Sequence, residues 1–269
     1  MSNNTWAAFG ILPGRDEDSV QSSIPPALSY LCERDQRAFA KKFSEQSGNN
    51  DQAMHTFREL LAGAFMARQG YTPFYEPSID GLTPDWLFRR AGQEEFIADV
   101  VNFHVARTIE SKLERAFDEG QTWCGEIPDQ SQRLHSSLWE KAGKYKNLAA
   151  QKSMPYVVFI FGWLNAIIEP DQVETCLVGA EGLFNDYTTL SGVYHMRERT
   201  YKTKAEVICI GTQMILVPKE RPPSLLDAEA GYCFDYYANP KASYPVRWLS
   251  NGALAYRFPA CSDQPTQRE

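Results

Sequence analysis

Pro84-Asp-Trp-Leu-Phe-Arg-Arg-Ala-Gly-Gln-Glu-Glu-Phe-Ile-Ala-Asp-Val-Val101 holds two short extended runs, Asp85–Arg89 and Glu95–Val101, joined by a turn around Ala91-Gly92. One aspartate opens the first run. A second, Asp99, interrupts the otherwise apolar Phe96-Ile-Ala-Asp-Val-Val segment. A carboxylate in the middle of a buried strand is costly unless a cation or hydrogen-bond donors compensate it. Two such groups on adjacent strands of one hairpin can lie side by side, as a hard divalent cation such as Mg²⁺ requires. Pattern alone leaves a plainer alternative open, in which Asp85 caps a turn and Asp99 ends a strand or pairs with an arginine.

Before this stretch, Phe57, Leu60, Leu61, Ala64 and Phe65 recur at helical spacing within 53–69, and Gly70 supplies a stop. An extended run, Tyr71–Glu76, and a turn at Ser78-Ile-Asp-Gly81 follow. Beyond it, Ile109, Leu113, Ala116 and Phe117 mark a helix ending near Gly120, and a polar loop with Gly125 and Pro128 leads to a second helix over Ser131–Ala150. Pro155–Gly162 is β-branched and aromatic without alternation, as a strand covered on both faces should be. The order α-β-β-β-α-α-β predicts an α/β fold, a mixed central β-sheet flanked by helices. A short helix from Pro170 to Gly179 and extra C-terminal strands within Ser191–Pro218 and at Tyr232–Ala238 complete the pattern. The expected division is an N-terminal extension (1–50), with a helical stretch at Ala27–Ser44 and no recognisable chemistry, an α/β domain (51–250) and a C-terminal tail (251–269).

The chain has 269 residues with 27 Lys+Arg against 34 Asp+Glu, a formal net charge of −7. That balance argues against a purely electrostatic nucleic-acid binder, which needs net basic surface to displace counterions, but it allows a local basic cleft. Apolar residues at 43% and aromatics at 13% exclude a disordered chain. No apolar run is long enough to span a bilayer and no signal peptide is visible, so no membrane association is expected. Six cysteines stand singly, without zinc spacing, which reads as reduced thiols and a cytoplasmic address.

Other residues bear on the aspartate pair. Glu59 is a lone acid on a helix apolar around most of its circumference, so it either points inward toward the pair or forms a surface ion pair. Lys141, Lys144 and Tyr145 share one helix face, from which a lysine can reach a carboxylate site; a solvated face is the alternative. The basic stretch His195–Lys204, with Arg197, Arg199, Lys202 and Lys204, suits contacts to a phosphate backbone, or equally a charged strand edge that resists aggregation.

In order and spacing these pieces resemble the PD-(D/E)XK nuclease superfamily, with its restriction-endonuclease-like fold. The matching elements are the helix Phe57-Arg-Glu-Leu-Leu to Arg68-Gln-Gly-Tyr, then Pro84-Asp85, then Phe96-Ile-Ala-Asp99-Val-Val, then Leu138-Trp-Glu-Lys-Ala-Gly-Lys-Tyr leading into Pro155-Tyr-Val-Val-Phe-Ile. Val173–Gly179, Leu190–Val193 and Asn239–Ala242 are similar to elements of poorly characterised bacterial members. The resemblance implies metal-dependent phosphodiester hydrolysis of nucleic acid, DNA ahead of RNA, with Mg²⁺ or Mn²⁺ as cofactor. It also implies a homodimer where both strands are cut. Asp85, Asp99 and the Val100 carbonyl would be the metal ligands, with Glu59 an outer or second-metal ligand. The usual lysine two residues after the second acid is replaced by Val101, and the resemblance then assigns that role to Lys141 or Lys144. The alternative is a catalytically inactive nuclease-like module that binds nucleic acid or a protein partner.

Overall fold

The computed structural model describes residues 24–46, 49–103, 111–112, 115, 131–162, 168, 170–198, 205–210, 213–218, 232–247 and 256–257. Along them run α1 (Glu33–Glu45), α2 (Asn50–Arg68), β1 (Thr72–Tyr75), β2 (Trp86–Arg89), β3 (Phe96–Phe103), α3 (Ser131–Lys144), α4 (Lys146–Lys152) and β4 (Tyr156–Gly162). There follow α5 (Pro170–Val178), α6 (Leu183–Asp186), β5 (Leu190–Glu198), β6 (Ala205–Ile210), β7 (Gln213–Pro218), β8 (Tyr232–Ala238) and β9 (Tyr256–Arg257). The helix expected over Ile109–Phe117 and the loop after it fall almost wholly outside the described residues.

One seven-stranded sheet has the order β1-β2-β3-β4-β5-β8-β9, and β6 and β7 form a separate hairpin. β2 is antiparallel to both β1 and β3; β3, β4 and β5 are parallel, and β8 returns antiparallel to β5. The chain is therefore α/β with a mixed central sheet flanked by helices, and the C-terminal strands extend it.

Register assigns the two faces. Ala98, Val100, Phe159 and Tyr194 share one face with Trp86; Ile97, Asp99, Tyr156 and Val158 share the other. α2 covers the first face: Phe65 meets the Tyr194 ring edge-on at 5.7 Å, and the Trp86 indole N–H donates to the Glu59 carbonyl at 3.0 Å. α3 lies over the second, where the Tyr156 hydroxyl donates to the Lys141 carbonyl at 2.9 Å.

Local chemistry fixes the helix ends. The Asn49 side chain accepts the Gln52 N–H at 3.2 Å, so α2 starts slightly before the apolar periodicity does. Gly70, at φ 86°, adopts the left-handed conformation that ends it. The helix expected over Ser131–Ala150 is broken at Tyr145, whose φ of −111° leaves the helical region. Its buried ring packs edge-on against Tyr156 at 5.5 Å, and its hydroxyl donates to the Thr83 carbonyl at 2.7 Å. An unbroken helix would lose both.

The helix expected over Ala27–Ser44 starts later, at Glu33, after a helical turn at 24–28. α1 joins the same core: Phe39 lies 4.1 Å from the Tyr75 ring and 5.9 Å from Trp86. It also covers β1, the edge strand. Asp35 Oδ2 accepts the Tyr75 N–H at 3.1 Å, and Arg34 donates to the Tyr75 carbonyl at 3.2 Å, which satisfies backbone groups that an open edge leaves bare.

The distance between α2 and the sheet is set at Gly63. A Cβ there would lie 2.4 Å from the buried Trp86 ring. Gly63→Ala is therefore expected to destabilise the fold by about 1–3 kcal/mol through overpacking. The check is a lowered urea midpoint with an unchanged m value.

Candidate active site

The ladder between β2 and β3 ends at the Trp86–Ala98 pair. Beyond it side chains replace the missing strand. The Val100 N–H donates to Asp85 Oδ2 at 2.7 Å, and the Asp85 N–H donates to Asp99 Oδ1 at 3.2 Å. The sequence-expected pair is thus brought together by reciprocal bonds between each carboxylate and the other strand's backbone. Because a strand residue's N–H and C=O emerge on the same edge, the Val100 carbonyl faces the same gap.

Asp99 is fully buried, and its charge is met from α3. Lys141 Nζ lies 3.0 Å and Lys144 Nζ 3.2 Å from the same oxygen, Oδ2. Lysines three positions apart share one helix face, and the Tyr156 and Tyr145 hydroxyls hold the end of that helix to the sheet and to the loop before Asp85. Val101, two residues beyond Asp99 on the same strand face, is buried.

Asp85 is half-buried, and its carboxyl is pushed up to about 7 by burial, then by the Asp99 and Glu59 charges, with Lys141 and the Val100 N–H opposing. Among the described residues only its Oδ2 is engaged.

Glu59 points inward, as one of its two expected orientations requires, but it belongs to the α2 layer. Its Oε2 accepts from Lys42 at 3.2 Å and from the Tyr75 hydroxyl, and its Oε1 lies 3.6 Å from His55 Nε2. Lys42 also contacts Tyr75 and pairs with Glu76 at 2.8 Å. Burial opposes the Lys42 ammonium, yet Glu59 and Glu76 outweigh it and raise its pKa. Burial lowers the His55 imidazole, with Lys141 and Lys42 adding to it and Glu59 opposing. Burial and Glu59 raise the Tyr75 phenol, which stays a neutral donor.

Lys42, Tyr75 and Tyr156 were not singled out from the sequence. A signal for Lys42 exists: it lies three residues after Phe39, on the face that α1 buries. Nothing comparable marks the tyrosines, whose roles depend on strand register.

A cleft of about 360 Å³ opens over the free edge of β3, between the start of α2 (Gln52, His55) and α3 (Ser137, Glu140, Lys141), with Val100, Val101 and Asn102 at its floor. Arg197 lies on β5 opposite Cys233, and Arg199, Lys202 and Lys204 fall outside the described residues. Among the described residues, no cluster of three or more His, Cys, Asp or Glu side chains is placed to hold a metal, and no helix is long and apolar enough to cross a membrane. The expected ligand set needs only two carboxylates and a carbonyl. It fits a hard cation in one respect: two apposed carboxylates and the Val100 carbonyl offer oxygen donors at one gap.

No protein-family model, curated protein or solved structure matches the chain.

Two measurements check these electrostatics. A carboxyl raised in the folded state binds its proton more tightly there than when unfolded, so the stability that Asp85 contributes below about pH 4 is lost as pH rises to about 7. Asp85→Asn lacks that loss, and in metal-free buffer its advantage should grow over this window to about 1–2 kcal/mol and then level off. Lys42→Met should cost about 1–3 kcal/mol at neutral pH by leaving buried Glu59 without its ammonium, and Glu59→Gln in the same chain should recover much of it. Independent, additive effects in that double-mutant cycle would contradict the pairing.

Proposed function

We propose that the chain has a restriction-endonuclease-like core of the PD-(D/E)XK kind and hydrolyses phosphodiester bonds in nucleic acid with Mg²⁺ or Mn²⁺. The observation that carries this reading is the convergence of Lys141 and Lys144 on Asp99 Oδ2 at 3.0 and 3.2 Å, from a helix, while the buried Val101 takes the strand position usual for the lysine. The antiparallel β1–β3 meander that runs on into parallel β4 and β5 is compatible with that core.

Asp85, Asp99 and the Val100 carbonyl would hold the cation, which supplies Lewis acidity and neutralises charge at the scissile phosphate when bound. Lys141 lines the cleft beside the carboxylates, where an ammonium stabilises negative charge developing on a phosphate or orients a water. Tyr156 holds the Lys141 backbone, so that this charge is positioned before substrate arrives. Glu59, with its oxygens taken up by Lys42, Tyr75 and His55, acts from the next layer by adding negative potential at Asp85. DNA is the substrate to try first. Cutting both strands of a duplex calls for two such sites, hence a homodimer, and Arg197, Arg199, Lys202 and Lys204 remain the proposed backbone contacts.

The test is incubation of the full chain with single- and double-stranded DNA and RNA in Mg²⁺ or Mn²⁺. Asp99→Asn and Lys141→Ala should each lower cleavage by about a hundredfold or more while circular dichroism stays native. Cleavage undiminished in Asp99→Asn would refute the site. No cleavage by wild type, with retained nucleic-acid binding, would identify an inactive binding module instead.

A further inference from the structure

Asp99 carries one negative charge and meets two ammonium groups on a single oxygen, while its other oxygen is taken by the Asp85 N–H. A divalent cation held by Asp85 and Asp99 would bring its charge against the two ammonium groups on Oδ2. Like charges held that closely in a buried site repel strongly, so one lysine has to leave.

The two are not equivalent. Lys141 has a side chain 25% exposed, belongs to the cleft wall, and has its backbone carbonyl fixed by Tyr156. Lys144 is the last residue of α3, at the break before Tyr145, and its side chain is 45% exposed. Its ammonium, while on Asp99, also lies 4.7 Å from the centre of the Tyr145 ring, whose face attracts a cation. Lys144 therefore has solvent to receive its ammonium, while an incoming cation would replace its charge on the buried Asp99.

We propose that Lys144 is a displaceable counter-ion: it neutralises Asp99 in the metal-free protein, gives up its place to a divalent cation, and then binds the phosphate of the nucleic-acid strand through its released ammonium. Lys141 stays on Asp99 throughout. This deepens the metal-dependent reading above and rests on it. The two lysines accordingly have separate duties, Lys141 positioning charge at the carboxylates and Lys144 reporting cation occupancy to the substrate.

Acylation of lysines in the full-length wild-type chain, mapped by peptide mass spectrometry, reads the exchange directly. Saturating Mn²⁺, with binding followed by water-proton relaxation, should raise Lys144 labelling about three- to tenfold, the range expected for loss of one exposed ion pair, and leave Lys141 within about twofold. A short cleavage-resistant phosphorothioate oligothymidylate added with Mn²⁺ should protect Lys144 again. Lys144→Gln should bind Mn²⁺ about three- to tenfold more tightly than wild type, because no ammonium has to be displaced. Mn²⁺ binding with unchanged Lys144 labelling, or release of Lys141 instead, would overturn the exchange and leave the metal site standing. Release without protection by the oligonucleotide would overturn the phosphate role. No Mn²⁺ binding by wild type or variant would defeat the metal-dependent reading itself, and the exchange with it.

Discussion

The Asp99 carboxylate is fully excluded from solvent in the middle of a strand, and a buried charge persists only where donors and cations surround it. Every element around it is placed accordingly. β2 stops at Trp86, so the Asp85 N–H turns to Asp99 rather than to a ladder partner. α3 ends over the sheet face that carries Asp99, which puts two lysine stems within reach. Tyr145 breaks that helix and Tyr156 bonds to its last turn, so the lysines arrive at a fixed height above the strand. Replacing the acid by an apolar residue would remove the reason for all of these contacts at once.

A second layer is tied to the first through Trp86. Its ring rests on Gly63, its indole N–H bonds to the Glu59 carbonyl, and its neighbour in the chain is Asp85. The spacing between α2 and the sheet therefore also sets how strongly Glu59 is felt at Asp85. α1 closes this layer from outside, since its Lys42 meets the buried Glu59 carboxylate at 3.2 Å. The helix in the N-terminal stretch is thus part of the electrostatics of the candidate site as well as a cover for the β1 edge.

The strands and α2 were readable from the chain because their signals are local: apolar periodicity, a glycine stop, and an apolar run without alternation. The pairing of Asp85 with Asp99 was readable too, since a hairpin of known length brings them level. The break at Tyr145 was not, because the helical pattern runs through it and the gain comes from Thr83 and Tyr156, distant in sequence. Lys42 was missed for the same reason, as its value depends on Glu59, seventeen positions away, being buried opposite it. The sequence left two orientations open for Glu59 and for the α3 lysines; an amphipathic pattern identifies a face but not what stands across from it.

The net charge of −7 acquires a local meaning from this arrangement. Three of the acids, Glu59, Asp85 and Asp99, are gathered near the point where β2 stops pairing with β3, and three lysines, Lys42, Lys141 and Lys144, are gathered against them. All three lysines come from helices, Lys42 from α1 and the Asp99 pair from α3, and none from the strand, where Val101 is committed to packing. A strand lysine has its backbone held by ladder bonds on both sides and little room to leave. Lys144, at the end of α3, has a side chain 45% exposed and so a solvent path. Placing the cation donor on a helix rather than on the strand therefore costs rigidity and gains exchangeability, and an acidic protein in this way concentrates positive charge against its buried carboxylates.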